Sequence, residues 1–269
     1  MIAKIIVFIF GSCIGSFLNV CIHRMPLGES VVWPSSHCPK CKKRIPSYDN
    51  IPFISYILLG GKCRFCKQRI PLRYPLVELL SAIMFVALFN HLGLSYEFFV
   101  FIVFVSALII SSFIDIDHRI IPDEISVGGL ILGFILSAVA GVHLKPLSFE
   151  FRPMVNSSLG IVVGGGIIYL TGVLFDLVYF KLLKRPPIQG ETESMGGGDV
   201  KLLAMMGAFL GWQKAVLIFF IAPFFALGIG LINLIRKKDH TIPYGPFLSL
   251  AAIVSIFWAN KIISLLFLR

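Results

Sequence analysis

The sequence predicts an all-α polytopic membrane protein with about eight transmembrane helices and one small cytoplasmic segment rich in cysteine. Its 269 residues are 57% hydrophobic and only 14% charged, and the mean hydropathy is +0.89. A soluble domain of this length carries far more charge. Several apolar runs approach the roughly 18 residues that indicate a membrane helix. The expected environment is therefore a lipid bilayer.

Eight apolar runs predict the transmembrane helices. The first is expected to remain in the membrane, since Lys4 is its only early charge and no small-residue cleavage pattern precedes His23. The sixth run is short and contains Gly207, which favours a re-entrant helix or one packed inside protein. The predicted spans are residues 2–22, 76–92, 98–114, 125–142, 157–180, 200–210, 216–235 and 247–267.

The distribution of charge predicts the orientation of these spans. The formal net charge is +10, but the basic residues fall in short loops between apolar runs, so we expect no nucleic-acid partner. Most of the 24 Lys and Arg residues lie in 23–75, 115–123, 181–199 and 236–244, which the positive-inside bias places in the cytoplasm. The expected divisions are a first helix at 1–22, a cytoplasmic four-cysteine segment at 23–75 and a membrane domain at 76–269.

Four cysteines in the cytoplasmic segment predict a structural metal site. Cys38 and Cys41 form one Cys-x-x-Cys pair, Cys63 and Cys66 form another, and 21 residues separate the pairs. This spacing is typical of zinc ribbons, whose four thiolates leave no open position for a substrate. Two disulfides and redox chemistry stay open as alternatives, although a reducing cytosol disfavours disulfides.

Two acidic residues at predicted membrane edges predict either chemistry or capping. Asp115 ends an apolar run, and Asp199 follows three glycines at 196–198 just before the sixth span. An ionised carboxylate within a span costs about 2.5 to 3.5 kcal/mol on insertion scales, so an acid there needs a reason. Two carboxylates close together share one proton, as in aspartic proteases, where one acid polarises the scissile carbonyl and the other activates water. Helix capping, ion pairing or a cation pathway that includes Asp176 stay open as alternatives.

Short motifs follow one another over most of the chain. The first is GSCIGSFLNVCIHRMP at 11–26, and the second combines the two cysteine pairs with RYPLVE at 73–78. They are followed by Asp115 with IPD at 121–123, by ESMGGGDVK at 193–201 and by IPYGPF at 242–247. In this order they resemble the type IV prepilin peptidases, a family of GxGD membrane aspartic proteases.

The resemblance implies a bifunctional enzyme. It assigns Asp115 as the first catalytic acid, because this residue stands seven positions before Pro122 and eight before Asp123, and it assigns Asp199 as the second. It implies cleavage of prepilin and pseudopilin leaders after glycine, at the cytoplasmic face of the inner membrane. Methylation of the new N-terminal residue, usually Phe, from S-adenosylmethionine would follow. The implied partners are these substrates and membrane lipid, with Zn²⁺ as a structural cofactor.

Further residues are expected to serve the two activities. Those expected to assist the acid pair are Asp117, Asp123, Gly196, Gly197, Gly198 and Lys201. The methyl donor carries charge, so a pocket where the cytoplasmic segment meets the membrane is physically easier than one in hydrocarbon. The family resemblance implies that the residues near that pocket are Gly60, Gly61, Arg73 and Glu78.

Two other classes of protein stay open at this point. An ion or proton-coupled transporter would relay cations through Asp115, Asp176 and Asp199, although two of these share one membrane edge. A non-catalytic scaffold for pilus or secretion assembly would dock a partner on the cysteine segment. No sequence repeat stands out along the chain.

Overall fold

The computed structural model describes residues 1–144, 151–183, 195–235 and 243–266. Within these ranges the chain is almost entirely helical, and its only β-pairing is two isolated bridges, which confirms the all-α prediction. The predicted basic loops at 181–199 and 236–244 fall mostly outside these ranges. The α-helices are α1 Ile2–Arg24, α2 Ile54–Leu58, α3 Arg73–Leu92, α4 Tyr96–His118, α5 Asp123–Leu144, α6 Arg152–Asp176, α7 Gly197–Leu210, α8 Trp212–Ile235 and α9 Gly245–Leu266.

Six of the described helices are long and apolar enough to cross a membrane, so the chain is a multi-pass membrane protein. These helices are α1, α3, α4, α5, α6 and α9. Helix α7 has 14 residues, fewer than that criterion requires, and α8 is apolar over Trp212–Gly228, the part of this 24-residue helix whose side chains the structure describes. The predicted number of eight spans is therefore not confirmed.

The chain forms two compact units, Met1–Ile114 and Asp115–Arg269. In the first unit α1 packs closely on α3 because glycines of α1 face that helix. A Cβ on Gly15 would lie 2.6 Å from the Cα of Glu78, and one on Gly11 would lie 2.9 Å from the Cα of Ala82. Side chains larger than hydrogen at these two positions would push the helices apart. The divisions expected at 22/23 and 75/76 stay predictions.

Helix α7 lies inside the second unit, packed against α5, α6, α8 and α9. Its contact with α6 is backbone to backbone, since a Cβ on Gly207 would overlap the carbonyl oxygen of Gly160, and one on Gly164 would lie 2.6 Å from the carbonyl oxygen of Leu203. Most residues from Leu202 to Leu210 are buried. The other helices of the unit surround α7, so the thickness of the lipid does not set its length. This agrees with the second of the two alternatives for the sixth run, a helix packed inside protein.

The four-cysteine segment folds as turns, two isolated bridges and short helical pieces, since its many prolines disfavour long helices. The structure also shows a short repeat in it, which corrects the expectation that the chain has none. CPKCKKRIP at 38–46 and CRFCKQRIP at 63–71 share Cys, Cys, Lys, Arg, Ile and Pro at equal positions. Each copy closes with an antiparallel bridge, His37 to Arg44 and Lys62 to Arg69. Each copy covers only nine residues, too few to stand out as a periodic pattern along the chain.

Part of this segment lies alongside α1. The ring of Phe53, just before α2, is 6.1 Å from the ring of Phe8, which lies well inside the predicted first span. The neighbouring side chains of Ile54, Ile57 and Leu58 are exposed. Apolar side chains at that depth are compatible with contact to lipid tails.

Candidate active site and metal centre

Asp115 lies in the last turn of α4 and is buried, with only 6% of its surface exposed. Its Oδ2 atom accepts the backbone N–H of Gly245 at 2.9 Å. Gly245 is the first residue of α9, so the carboxylate caps a helix N-terminus, where the unpaired N–H groups stabilise negative charge. A Cβ at Gly245 would lie 2.8 Å from the same oxygen, which explains why glycine stands there.

Asp199 lies in the first turn of α7, directly after the three glycines. Ile121 connects its surroundings with those of Asp115. A Cβ on Gly198 would lie 3.2 Å from the Cβ of Ile121, and a Cβ on Gly245 would lie 3.4 Å from the Cδ1 of the same residue. The start of α7, the start of α9 and the end of α4 therefore meet around one isoleucine.

The two acids interact electrostatically. Asp199 belongs to a helix that is not among the six candidate spans. Burial, and then the negative charge on Asp115, raise the pKa of Asp199 to about 7. Tyr244, just before α9, is affected in turn: burial and the charge on Asp199 raise the pKa of its phenol to about 12. Near neutral pH one of the two acids can therefore be protonated, and the phenol of Tyr244 is protonated as well.

The four cysteine sulfurs of the first unit form a second cluster. The Sγ atoms of Cys38, Cys41, Cys63 and Cys66 all lie within 4.8 Å of one another, and none of these cysteines forms a disulfide. The Cys38 and Cys66 sulfurs are 3.8 Å apart, which matches the edge of about 3.8 Å in a tetrahedron with Zn–S bonds of about 2.3 Å. The donor set and its spacing fit Zn²⁺.

The backbone around the cysteines favours thiolates, the form in which cysteine binds metal. The backbone N–H of Cys66, followed by that of Phe65, lowers the pKa of the Cys63 thiol. The backbone N–H of Gln68 also lowers the pKa of Cys66, but desolvation and the neighbouring cysteines outweigh it and raise that pKa. The two turns are also built alike. Lys42 donates its N–H to the carbonyl of Cys38 at 2.9 Å, and Lys67 donates to that of Cys63 at 3.0 Å, each lysine with a positive φ near 56°.

A cavity of about 460 Å³ lies in the first unit, between the cysteine segment and the helices α1 and α3. Glu78 lines it and accepts the N–H of Phe53 at 3.0 Å. The other residues expected near a methyl donor, Gly60, Gly61 and Arg73, are not part of its lining.

Comparison with known proteins places the chain in a family. Residues 9–92 match the bacterial peptidase A24 N-terminal domain, and residues 102–231 match the type IV leader peptidase family. The prepilin leader peptidase/N-methyltransferase of Stutzerimonas stutzeri is 32% identical over 280 residues, which cover 94% of this chain and 90% of that protein. The chain belongs to the type IV leader peptidase family.

Other members of this family carry the same name. The prepilin leader peptidase/N-methyltransferase of Pseudomonas aeruginosa is 33% identical over 280 residues, covering 94% of the chain and 90% of that protein. The protein so named in Myxococcus xanthus is 36% identical over 231 residues, which cover 86% of the chain but only 63% of that protein. No solved structure matches the chain.

The expected accessory residues of this leader peptidase differ in their surroundings. Asp123, in the first turn of α5, pairs with Lys201 of α7 at 2.6 Å, and both side chains are largely exposed. Asp117, the next-to-last residue of α4, is exposed, whereas Asp115 is buried. Burial and a shared electrostatic field thus distinguish Asp115 and Asp199 from their acidic neighbours.

Tyr244 and Gly245 are the residues that the sequence did not assign to the site. They belong to the IPYGPF motif, which the sequence reveals without giving a role to either residue. Their contacts with the acids depend on how α9 packs in three dimensions, and no local pattern contains that information. The signal that the sequence offers is a tyrosine directly followed by glycine and proline, just before the last predicted span.

Proposed function

We propose that this family member cleaves the leader of prepilins and pseudopilins with Asp115 and Asp199, and then N-methylates the new N-terminus with S-adenosylmethionine. The observation that supports the cleavage most is the pairing of buried Asp115 with half-buried Asp199, whose pKa is raised to about 7 by desolvation and then by the charge on Asp115. A shared proton is what an aspartic protease requires. The names of the relatives support both activities.

The proposed hydrolysis divides the work between the two acids. Asp115, whose carboxylate caps α9, takes a proton from water, and the resulting hydroxide attacks the scissile carbonyl carbon. Asp199 donates its proton to the carbonyl oxygen. When the tetrahedral intermediate collapses, the C–N bond breaks, the leaving amine takes the proton held by Asp115, and Asp199 recovers a proton from the intermediate's hydroxyl. No metal ion or covalent nucleophile takes part.

Methyl transfer is proposed at the cavity of the first unit, lined by Glu78. S-adenosylmethionine supplies an electrophilic methyl group there. The cysteine segment forms the roof of the cavity, so Zn²⁺ held by Cys38, Cys41, Cys63 and Cys66 would act by keeping that segment folded.

The proposed location is the inner membrane, with the cysteine segment and the acid pair on the cytoplasmic side. The excess of basic residues in the polar segments supports this orientation. The substrate's apolar helix would then stay in the bilayer while its basic leader remains in the cytosol.

The test uses the purified chain in detergent with a prepilin that has an apolar N-terminal helix. Leader loss by mass spectrometry, followed by a gain of one methyl group when S-adenosylmethionine is present, is the expected result. Neither event across a range of lipids and pH values would contradict the proposal and favour the scaffold or transporter interpretation. The transporter is the weaker of these, since Asp115 and Asp199 share one cluster.

A further inference from the structure

The membrane-facing floor of the 460 Å³ cavity carries polar side chains that the proposed chemistry has not yet used. They come from α1 and α3, which cross at Gly15 and Glu78. Asn19 and Ser16 of α1 and Glu78 of α3 all line the cavity. Polar groups within apolar spans are expensive unless they are paired or bind something.

Asn19 is the most informative of these residues. It is only 2% exposed, and its Nδ2 atom donates to the carbonyl oxygens of Tyr74 at 3.0 Å and Gly15 at 3.3 Å. These two bonds fix which end of the amide is the donor. The Oδ1 atom is then left without a hydrogen-bond partner among the described residues. An unpaired buried acceptor costs about 1 to 3 kcal/mol, so a donor from outside the protein would stabilise it.

Glu78 is the second informative residue. It is 9% exposed and lies one turn of α3 beyond Tyr74, the residue that holds Asn19. Its carboxylate accepts the N–H of Phe53, a neutral group, at 3.0 Å. Asp49, another acid of the lining, is by contrast neutralised by Arg64 at 2.6 Å. Glu78 therefore offers a negative charge inside the cavity.

We infer that Asn19 and Glu78 together bind a primary ammonium group. Both side chains present oxygen acceptors. An ammonium group is compact, carries three N–H donors and supplies a positive charge opposite the Glu78 carboxylate. A guanidinium would match a bidentate carboxylate but is larger and planar. The site thus recognises an α-amino group at the membrane end of the cavity.

Two ligands of the proposed methyl transfer have such a group. One is the amino-acid end of S-adenosylmethionine, and the other is the new N-terminus of the cleaved pilin. The identity of the ligand rests on the proposed function, whereas the recognition of an ammonium group rests on Asn19 and Glu78. Binding measurements distinguish the two ligands without requiring turnover.

The experiment compares the wild-type protein with Glu78→Gln, which keeps an oxygen for the Phe53 N–H but removes the charge. Glu97→Gln, at an exposed acid in the first turn of α4, is the matched control. One arm measures binding of S-adenosylhomocysteine against its analogue without the amino group. The other arm measures binding of a mature pilin peptide against the same peptide acetylated at its N-terminus. Leader cleavage and metal content check that each variant is folded.

In one of the two arms, the wild-type protein and Glu97→Gln should prefer the ligand with the free amino group by about tenfold or more. Glu78→Gln should lose most of that preference while it keeps leader cleavage. The arm that responds identifies the ligand. No preference in the wild type, or a preference that survives in Glu78→Gln, would overturn the inference. A wild-type protein that binds neither ligand pair would overturn the proposed methyl transfer as well, whereas binding that ignores the amino group would overturn only this inference.

Discussion

The cysteine centre and the acid pair are held in place by different means. The cysteines sit in two copies of one turn, in which backbone hydrogen bonds within nine residues set each position. The acids come from distant parts of the sequence and meet because helices approach closely at glycines, at Gly245 and in the Gly160–Gly207 contact. A centre built from local turns depends on its metal, whereas one built from helix packing depends on the absence of side chains. Substitutions that disrupt the cysteine centre should therefore leave the acid pair intact, and the reverse should also hold.

The largest expected effect is loss of the metal. Changing Cys38, Cys41, Cys63 and Cys66 together to Ser should remove one zinc per chain and unfold the segment around them, because structural zinc in small domains contributes about 10–16 kcal/mol. Methylation should be lost with it, while leader cleavage should persist. Metal analysis, limited proteolysis and the two assays measure this. The matched control is Cys13→Ser, a cysteine of α1 outside the cluster. A zinc-free protein with an ordered segment would contradict the structural role.

The next largest effect is expected at the acid pair. Asp115→Asn and Asp199→Asn should each reduce leader cleavage by about 10²- to 10⁴-fold, the usual contribution of a general acid or base. Both variants should still methylate a pilin that has already been cleaved, since the cavity lies in the other unit. Glu97→Gln, at an exposed acid in the first turn of α4, is the control, and near-normal cleavage by either main variant would move the assignment to Asp117 or Asp123.

Packing at glycine should have a smaller but clear effect. In Gly207→Ala the new methyl group would overlap the backbone of Gly160, which cannot turn aside as a side chain can. Overpacking of this kind costs about 1 to 3 kcal/mol, and we expect lower thermal stability together with slower cleavage. Gly166→Ala in α6, where nothing lies within 4 Å of the new Cβ, is the control. Equal behaviour of the two variants would show that the close contact does not hold α7 in place.

This contrast also explains what the sequence could predict. The cysteine centre was predictable, because Cys-x-x-Cys spacing records a local turn, and the helices were predictable from apolar runs. The hydrogen bond from Gly245 to Asp115, the contacts of Ile121 and the unpaired oxygen of Asn19 were not. They arise from tertiary packing between segments whose spacing in the sequence carries no signal. The predicted number of about eight spans is not confirmed, and the burial of α7 by its neighbouring helices is likewise a property of tertiary packing.

The acid pair should also respond to pH. Asp199 has a pKa of about 7, raised by burial and by Asp115, so it holds its proton below that pH and loses it above. Leader cleavage should therefore fall by about tenfold per pH unit above neutrality. The rate at which cleaved pilin is methylated, measured in the same buffers, should not show this fall. The Tyr244→Phe variant should show the same fall of the cleavage rate, because the phenol's pKa of about 12 lies above the pH values measured. A cleavage rate that stays flat from neutral to alkaline pH would contradict the shared proton.

The smallest effect is expected at the ion pair between Lys201 and Asp123. Their 2.6 Å contact joins α7 to the start of α5, but the side chains are 44% and 63% exposed, so water screens the attraction. Exposed pairs contribute about 0 to 1 kcal/mol. Lys201→Met should therefore slow cleavage by about fivefold at most, and Asp123→Asn should do the same. The double variant should be no worse than either single one, because each change already breaks the same contact. If Lys201→Met instead lost as much cleavage as Asp199→Asn, Lys201 would take a direct part in the chemistry. The two acids alone would then not explain the hydrolysis.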